Sequence, residues 1–331
     1  MSLTRSSRRR EPDTEPLLEI ENLSVRYSTR RGQVGALDQI HLIVRKGETL
    51  GVVGETGCGK STLGKAILGI LPVGTQVEGK ILFRGRDLTM LTNQMYRRLR
   101  GEEIALIFQD PMTRLNPLMT VQDHFIEEIQ AHEPVSSTEA RTRAREALIS
   151  MGIHEARIRN YPHEFSGGMR QRIMIALALV LKPSLLIADE PTTSLDVIVE
   201  AQILEILQDL KQAYSMSLLL ITHNLGIVAE VCDRVAVLYA GKLVELGSVR
   251  DIFHKPLHPY TQGLLSSIIH LETKELHSIE GSPPDLIAPP SGCRFHPRCS
   301  FAQSICMEKV PPLVEFEPGH FAACHFGDKF L

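Results

Sequence analysis

The chain has 331 residues, of which 43% are hydrophobic and 23% are charged, and a net charge of −3 at pH 7. This composition is typical of a globular protein of about two domains, and the near-neutral balance excludes a general basic coat for nucleic acid. The longest apolar run, 173–181, is far shorter than the roughly 20 residues that cross a bilayer. Because no apolar stretch follows the basic cluster near the N-terminus, we expect no secretory signal and a cytosolic chain.

Structure is predicted to begin at Leu17, after a charged and proline-containing lead of residues 1–16 that we expect to be flexible. The stretches 18–27 and 36–44 alternate apolar and polar residues, as half-exposed strands do. The continuous apolar run 49–54 predicts a buried parallel strand, and apolar spacing after the next Gly-rich turn predicts a helix.

Strand and helix patterns then alternate as far as about residue 250, which indicates an α/β domain with a parallel sheet. A Pro- and Gly-rich stretch at about 272–290 predicts a linker to a small Cys-rich extension, so the domains are 17–270 and 271–331. The further buried strands are predicted at 104–108, 184–189, 217–222 and 234–240, and the helices at 120–132, 138–152, 167–181 and 197–214.

Residues Gly54 to Ser61 have the pattern G-x-x-x-x-G-K-[ST] between a predicted strand and a predicted helix. Glycines let backbone N–H groups face phosphate oxygens, Lys60 neutralises the β- and γ-phosphates, and Ser61 offers a hydroxyl to Mg²⁺. A Gly-rich turn without a ligand is the alternative, but the strand before and the helix after are the context that this motif requires. The predicted nucleotide contacts are Gly54, Glu55, Thr56, Gly57, Cys58, Gly59, Lys60, Ser61 and Thr62.

Two adjacent acids end the predicted strand at 184–189. Asp189 stands at the carboxyl edge of the sheet, where it can hold Mg²⁺ through water. Glu190 serves no packing purpose there, so we interpret it as the base that orients the attacking water, the alternative being an exposed acidic strand end.

A Ser-Gly-Gly turn, Ser166 to Gly168, precedes the predicted helix at 167–181. A serine N-cap followed by glycines leaves backbone N–H groups open, so this helix start is a possible anion site. Taken alone, such a turn is more often only a helix cap.

The motifs and their order along the chain resemble those of the ATP-binding subunits of ABC transporters. The resemblance runs from about Leu17 to the last residue. It implies an α/β P-loop NTPase with an antiparallel β subdomain, a helical subdomain at about 110–182 and a small C-terminal Cys-rich extension. The positions that match the family's motifs, in order, are Tyr27, Gly54 to Ser61, Gln109, Ser166 to Gly168, Asp189 with Glu190, Ser194 to Asp196, and His223.

The resemblance also implies roles for residues that carry little signal alone. Tyr27 would stack on adenine, although a core aromatic explains it as well. Gln109 would sense Mg²⁺ and the water, and would join Ser61 and Asp189 around the metal. His223 would hold the γ-phosphate and the base, the alternative being a helix cap, and Asp196 would also face the nucleotide.

The family implies a head-to-tail dimer, in which the phosphate loop of one chain and the Ser-Gly-Gly turn of the other enclose each ATP. The turn here has Phe165 and Met169 where the family has Leu and Gln, which removes a polar contact from the site that this turn completes. Because Glu190 and His223 are intact, we expect the site on the chain's own phosphate loop to hydrolyse ATP.

Three stretches resemble the ATPases of dipeptide, oligopeptide and nickel importers: 107–117, 166–172 and 258–265. The Met form of the signature implies a second, different ATPase subunit. The implied partners are two transmembrane permease subunits and, indirectly, an extracytoplasmic solute-binding protein, at the cytoplasmic face of the inner membrane. No nucleic-acid partner is expected. The rival class is a soluble ABC protein that acts outside transport.

Four of the six cysteines lie in the last 39 residues. In a reducing compartment such a group indicates metal ligation before disulfides. Its spacing lacks the C-x₂-C units of structural zinc sites and resembles that of importers whose tail holds a 4Fe-4S cluster. A Cys/His zinc site and free thiols are the alternatives. The predicted cluster ligands are Cys293, Cys299, Cys306 and Cys324.

Overall fold

The computed structural model describes residues 15–108, 115–192, 196–267 and 279–331. Their strands form two sheets, of four and eight strands. The strands are β1 (Pro16–Thr29), β2 (Gly32–Arg45), β3 (Thr49–Val53), β4 (Gln76–Phe83), β5 (Arg86–Asp87), β6 (Ile104–Ile107), β7 (Leu185–Asp189), β8 (Ser217–Ile221), β9 (Arg234–Tyr239), β10 (Lys242–Ser248), β11 (Val314–Glu317) and β12 (His320–Ala322).

The smaller sheet is antiparallel, in the order β2-β1-β4-β5, and the larger is mixed, in the order β11-β12-β10-β9-β3-β8-β7-β6. In the larger sheet β9, β3, β8, β7 and β6 run parallel. All five residues of β3, β7 and β8 are buried, as expected of parallel strands that are covered on both faces.

The described helices are α1 (Lys60–Ile67), α2 (Asn93–Glu102), α3 (Val121–His132), α4 (Ser137–Ser150), α5 (Gly167–Leu179), α6 (Val197–Tyr214), α7 (Leu225–Val231), α8 (Val249–His254), α9 (Pro259–Ser266) and α10 (Ser304–Glu308). Several of them begin with a Ser, Thr or Asp N-cap whose side chain accepts a backbone N–H, a contact that contributes about 1 kcal/mol. Helices α3, α4 and α5 pack on one another and form a helical layer beside the sheet.

The α/β fold with an antiparallel sheet and helical elements agrees with the sequence prediction. Every strand and helix that periodicity predicted is present. Periodicity missed β4, which is mostly exposed along its length, and α7, which is too short to show a helical repeat. It also gave no prediction for β5, β10, β11, β12, α2, α8, α9 and α10. The predicted lead lies outside the described residues as far as residue 14, as does part of the predicted linker.

The Cys-rich extension is more than an appendage, because it continues the main sheet. Strand β12 pairs antiparallel with β10 and carries β11 at its outer side. Glu245 of β10 is fully buried, and its carboxylate accepts the backbone N–H groups of Leu257 and His258 at 2.7 and 3.0 Å. The imidazole Nε2 of His320 lies 2.8 Å from the same carboxylate. Pairing thus satisfies the edge that β10 otherwise exposes.

No helix of the described ranges combines the length and the apolarity needed to span a bilayer.

Candidate nucleotide-binding site

The Gly-rich loop connects buried β3 to α1, and its shape depends on two glycines with positive φ. Gly54 has φ 148°, and a Cβ there would come within 2.1 Å of the Leu238 carbonyl oxygen. Gly59 has φ 109°, and its Cβ would meet the carbonyl oxygen of Ala36 at 2.4 Å. The loop therefore sits against β9 and β2 at distances that no side chain allows.

The ammonium group of Lys60 is turned into the loop. It is buried and donates to the carbonyl oxygens of Gly54 and Glu55 at 2.7 and 3.0 Å. The next two residues of α1 reach other predicted site residues. Ser61 Oγ donates to Asp189 Oδ1 at 3.0 Å, and the hydroxyl of Tyr27 lies 3.1 Å from that of Thr62. The fold thus brings Tyr27 and Asp189 to the start of α1.

The two acids follow β7 and differ in their surroundings. Burial, opposed by the hydrogen bond from Ser61, raises the pKa of Asp189 above that of an ordinary aspartate, and the charge of Glu190 adds to this effect. Glu190 has φ 49°, a left-handed backbone that is rare for a non-glycine residue. Its Oε1 lies 3.2 Å from Nδ1 of His223, which follows β8 and is mostly exposed. The structure therefore groups Asp189, Glu190 and His223 at one sheet edge, beside Ser61.

The Ser-Gly-Gly turn lies at the start of α5. Ser166 caps the helix by accepting the N–H of Met169 at 3.4 Å. A Cβ on Gly167 would meet nothing within 4 Å, so the turn is open to approach, whereas Gly168 packs against Val199. Asp196 likewise caps α6, through the N–H of Val199 at 2.9 Å. Both predicted site residues thus have a capping role.

Three predicted positions lie outside the described residues: Gln109, Ser194 and Leu195. The stretch 107–117, which resembles importer ATPases, is outside them from residue 109 to residue 114.

Two residues that the sequence analysis missed contact the Gly-rich loop. The backbone N–H of Glu55 donates to the hydroxyl of Tyr260 at 2.9 Å. The Glu55 carboxylate accepts hydrogen bonds from both terminal nitrogens of Arg298. Tyr260 belongs to the stretch 258–265, which served above only as a mark of a subgroup. Burial lowers the pKa of His258 to about 3, so its imidazole is neutral. The ring nitrogen Nδ1 accepts the backbone N–H of Tyr260, and His258 thereby caps the start of α9. No local pattern points to either contact.

The four cysteines of the extension line one small cavity, together with His296 and His325. All four are free thiols, and burial raises the pKa of Cys293 and of Cys324 to about 11. Across residues 15–108, 115–192, 196–267 and 279–331, no three Cys, His, Asp or Glu side chains are placed to hold one metal ion. The remaining cysteines, Cys58 and Cys232, are buried in the cassette, where they pack among its other side chains.

The fold and this site define an ATP-binding cassette ATPase. The family of ABC transporters matches residues 37–193, and the oligopeptide/dipeptide transporter C-terminal region matches residues 244–306. The oligopeptide transport ATP-binding protein OppD of Salmonella typhimurium is 44% identical over 328 residues, which cover 98% of each chain. The dipeptide transport ATP-binding protein DppD of Bacillus subtilis is 45% identical over 95% of this chain and 96% of its own. The chain belongs to this oligopeptide/dipeptide family of ABC transporter ATP-binding proteins.

The fold is also that of a solved cassette. The dimeric, post-hydrolysis structure of the ATP-binding cassette MJ0796, bound to ADP and Pi, matches with a TM-score of 0.63 and 25% identity, over 70% of this chain and 99% of that one. The predicted family, fold class and ATPase activity are therefore confirmed.

Proposed function

We propose that this chain is the ATP-hydrolysing motor subunit of an importer for oligopeptides or dipeptides. The observation that carries the proposal is the near full-length similarity to ATP-binding proteins named for these solutes, which extends through the C-terminal extension. The ATPase itself does not contact the solute, so a nickel chelate or another peptide-like cargo is the alternative within the same machine. Two membrane permease subunits and a solute-binding protein outside the membrane complete the transporter, and this chain works at the cytoplasmic face.

The positions of the described residues support a separate role for each of them around MgATP. The Lys60 ammonium binds β- and γ-phosphate oxygens in place of the carbonyl oxygens of Gly54 and Glu55. The ring of Tyr27 stacks on adenine. Ser61 and Asp189, already 3.0 Å apart, hold Mg²⁺ together with Gln109. Glu190 takes a proton from the attacking water, and His223 orients Glu190 and the γ-phosphate. The domain boundaries 17–270 and 271–331 belong to the same proposal.

Enclosure of ATP between a Gly-rich loop and a Ser-Gly-Gly turn requires a second subunit, because one chain carries one of each and the family encloses ATP between two chains. The open surface at Gly167 and the dimer of the solved cassette support this arrangement. The sulfur of Met169 lies 3.4 Å from a nitrogen of Arg157 and offers no amide to a nucleotide. We therefore infer a heterodimer, in which a different ATPase with the Gln form of the turn completes the site on this chain's own loop.

Reconstitution tests the transport function. In liposomes that contain the chain, its partner ATPase and the two co-purified permeases, we expect uptake of peptide only with ATP and with solute-binding protein on the opposite side. Dipeptide, longer peptide and nickel chelate, each delivered by a loaded binding protein, are compared as cargoes. Failure to capture any permease, together with capture of nucleic acid or ribosomes, would favour the soluble ABC class instead.

We further propose that Cys293, Cys299, Cys306 and Cys324 hold a 4Fe-4S cluster. The donor set is suitable, because four thiols line one cavity and no carboxylate lies among the lining residues. The cluster supplies electron-transfer or structural chemistry when bound, and no step of ATP hydrolysis depends on it.

Metal analysis of protein purified without oxygen tests the cluster. We expect about four irons and four acid-labile sulfides per chain, and loss of both in the quadruple Cys→Ser variant. The double variant Cys58→Ser/Cys232→Ser, which changes only the packing cysteines, is the control and should keep the iron. One zinc per chain, or four thiols that titrate without any metal, would contradict the proposal.

A further inference from the structure

The extension reaches the Gly-rich loop through one buried side chain. Arg298 lies between His296 and Cys299 in the Cys-rich segment, and its side chain is 5% exposed. Its two terminal nitrogens meet the two carboxylate oxygens of Glu55 at 2.7 and 3.0 Å, the fork geometry that makes Arg–carboxylate pairs strong. Glu55 and Arg298 are 243 residues apart in the chain.

The guanidinium is itself held in place. Its Nε donates to the carbonyl oxygen of Glu280 at 2.8 Å, and a terminal nitrogen lies 3.2 Å from the carbonyl oxygen of Ile279. The hydroxyl of Tyr239 is 3.3 Å away, and the Tyr239 ring packs on Phe295 of the extension, with ring centroids 5.1 Å apart. These contacts fix the orientation of Arg298 independently of Glu55, so little side-chain entropy is lost in pairing with the Glu55 carboxylate.

The position of Glu55 gives this pair its importance. Glu55 follows Gly54 in the loop, and the carbonyl oxygens of both accept the Lys60 ammonium. A polyphosphate that binds to Lys60 brings several negative charges close to the Glu55 carboxylate. An unpaired carboxylate at that place repels the phosphates and weakens binding.

We propose that Arg298 is a positioning residue for ATP binding: it neutralises the Glu55 carboxylate and holds it away from the phosphate oxygens. The inference rests on the proposed role of the Gly-rich loop as the ATP phosphate site. It makes the extension part of the nucleotide site, since the cassette alone leaves Glu55 without this partner.

The test measures the Kd of MgATP for the full-length chain, and the KM and kcat of the assembled complex. In Arg298→Ala we expect Kd and KM to rise about tenfold, with kcat at saturating ATP within about twofold of the wild type. The double variant Arg298→Ala/Glu55→Gln removes the repulsion as well, so its Kd should return to within about twofold of the wild type. Arg298→Lys keeps the charge but not the fork, and its Kd should lie between.

One further variant separates loss of the Arg298–Glu55 pair from general loosening of the extension. Arg294 is the matched control, because it binds Asp38 at 2.6 Å and does not contact Glu55. We expect Arg294→Ala to leave the Kd within about twofold. The inference is overturned if Arg298→Ala binds MgATP normally, if Glu55→Gln does not restore the double variant, or if Arg294→Ala weakens binding equally. Absence of ATP binding by the wild-type chain would instead overturn the proposed function.

Discussion

Replacement of Glu190 by Gln is expected to lower ATP turnover by about 10²- to 10⁴-fold while MgATP binding is retained. The amide has the shape of the carboxylate but cannot accept a proton from the attacking water. Glu190 sits at a left-handed strand end, with its Oε1 3.2 Å from His223, so the substitution changes chemistry rather than packing. Phosphate release by the assembled transporter and nucleotide retention on the same preparation measure the two effects separately.

The control for this prediction is Glu205→Gln, an exposed acid on α6 away from the sheet edge. It should turn over ATP as the wild type does. Unchanged turnover in Glu190→Gln would refute the role of Glu190 as the base and would direct attention to another group near the bound water.

Removal of the Lys60 ammonium by Lys60→Ala is expected to weaken ATP binding by about 100-fold or more. Lys60 is buried, and truncation of one member of a buried charge pair typically costs about 2–5 kcal/mol. The loop also loses the two hydrogen bonds from the Lys60 ammonium to the carbonyl oxygens of Gly54 and Glu55. Titration of the full-length chain with a fluorescent ATP analogue measures the loss.

Lys80→Ala, which removes an exposed lysine from β4, is the matched control and should bind as the wild type does. The two predictions differ in kind: Glu190→Gln binds ATP without turnover, whereas Lys60→Ala fails at binding. Tight ATP binding by Lys60→Ala would contradict the assignment of this loop to the phosphates.

Hydrophobic periodicity was sufficient to predict the parallel strands and the longest helices. Strands β3, β7 and β8 are continuous apolar runs because parallel strands are covered on both faces, and α3 to α6 have helical spacing and capping residues. The same signal fails for β12, which has three residues and no room for a repeat. Its pairing with β10 is a long-range event that no local window contains.

The residues of the candidate site also differ in whether local sequence could predict them. The Gly-rich loop could be predicted because its chemistry requires glycines, a lysine and a hydroxyl at fixed spacing within eight residues. Asp189 and Glu190 could be predicted because the carboxyl edge of a parallel sheet gathers strand ends. Tyr260 and Arg298 could not, since they act from 205 and 243 residues away and a tyrosine or an arginine has no spacing that marks its partner.

The sequence by itself therefore determined the class of chemistry, namely phosphate binding and hydrolysis on a P-loop cassette, because contiguous residues carry that chemistry. It also identified four cysteines as a group. Only the tertiary structure decided that the extension joins the main sheet and that Arg298 pairs with Glu55. The physical reason is that an arginine can pair with any carboxylate, and only the folded chain selects which one lies within hydrogen-bond distance.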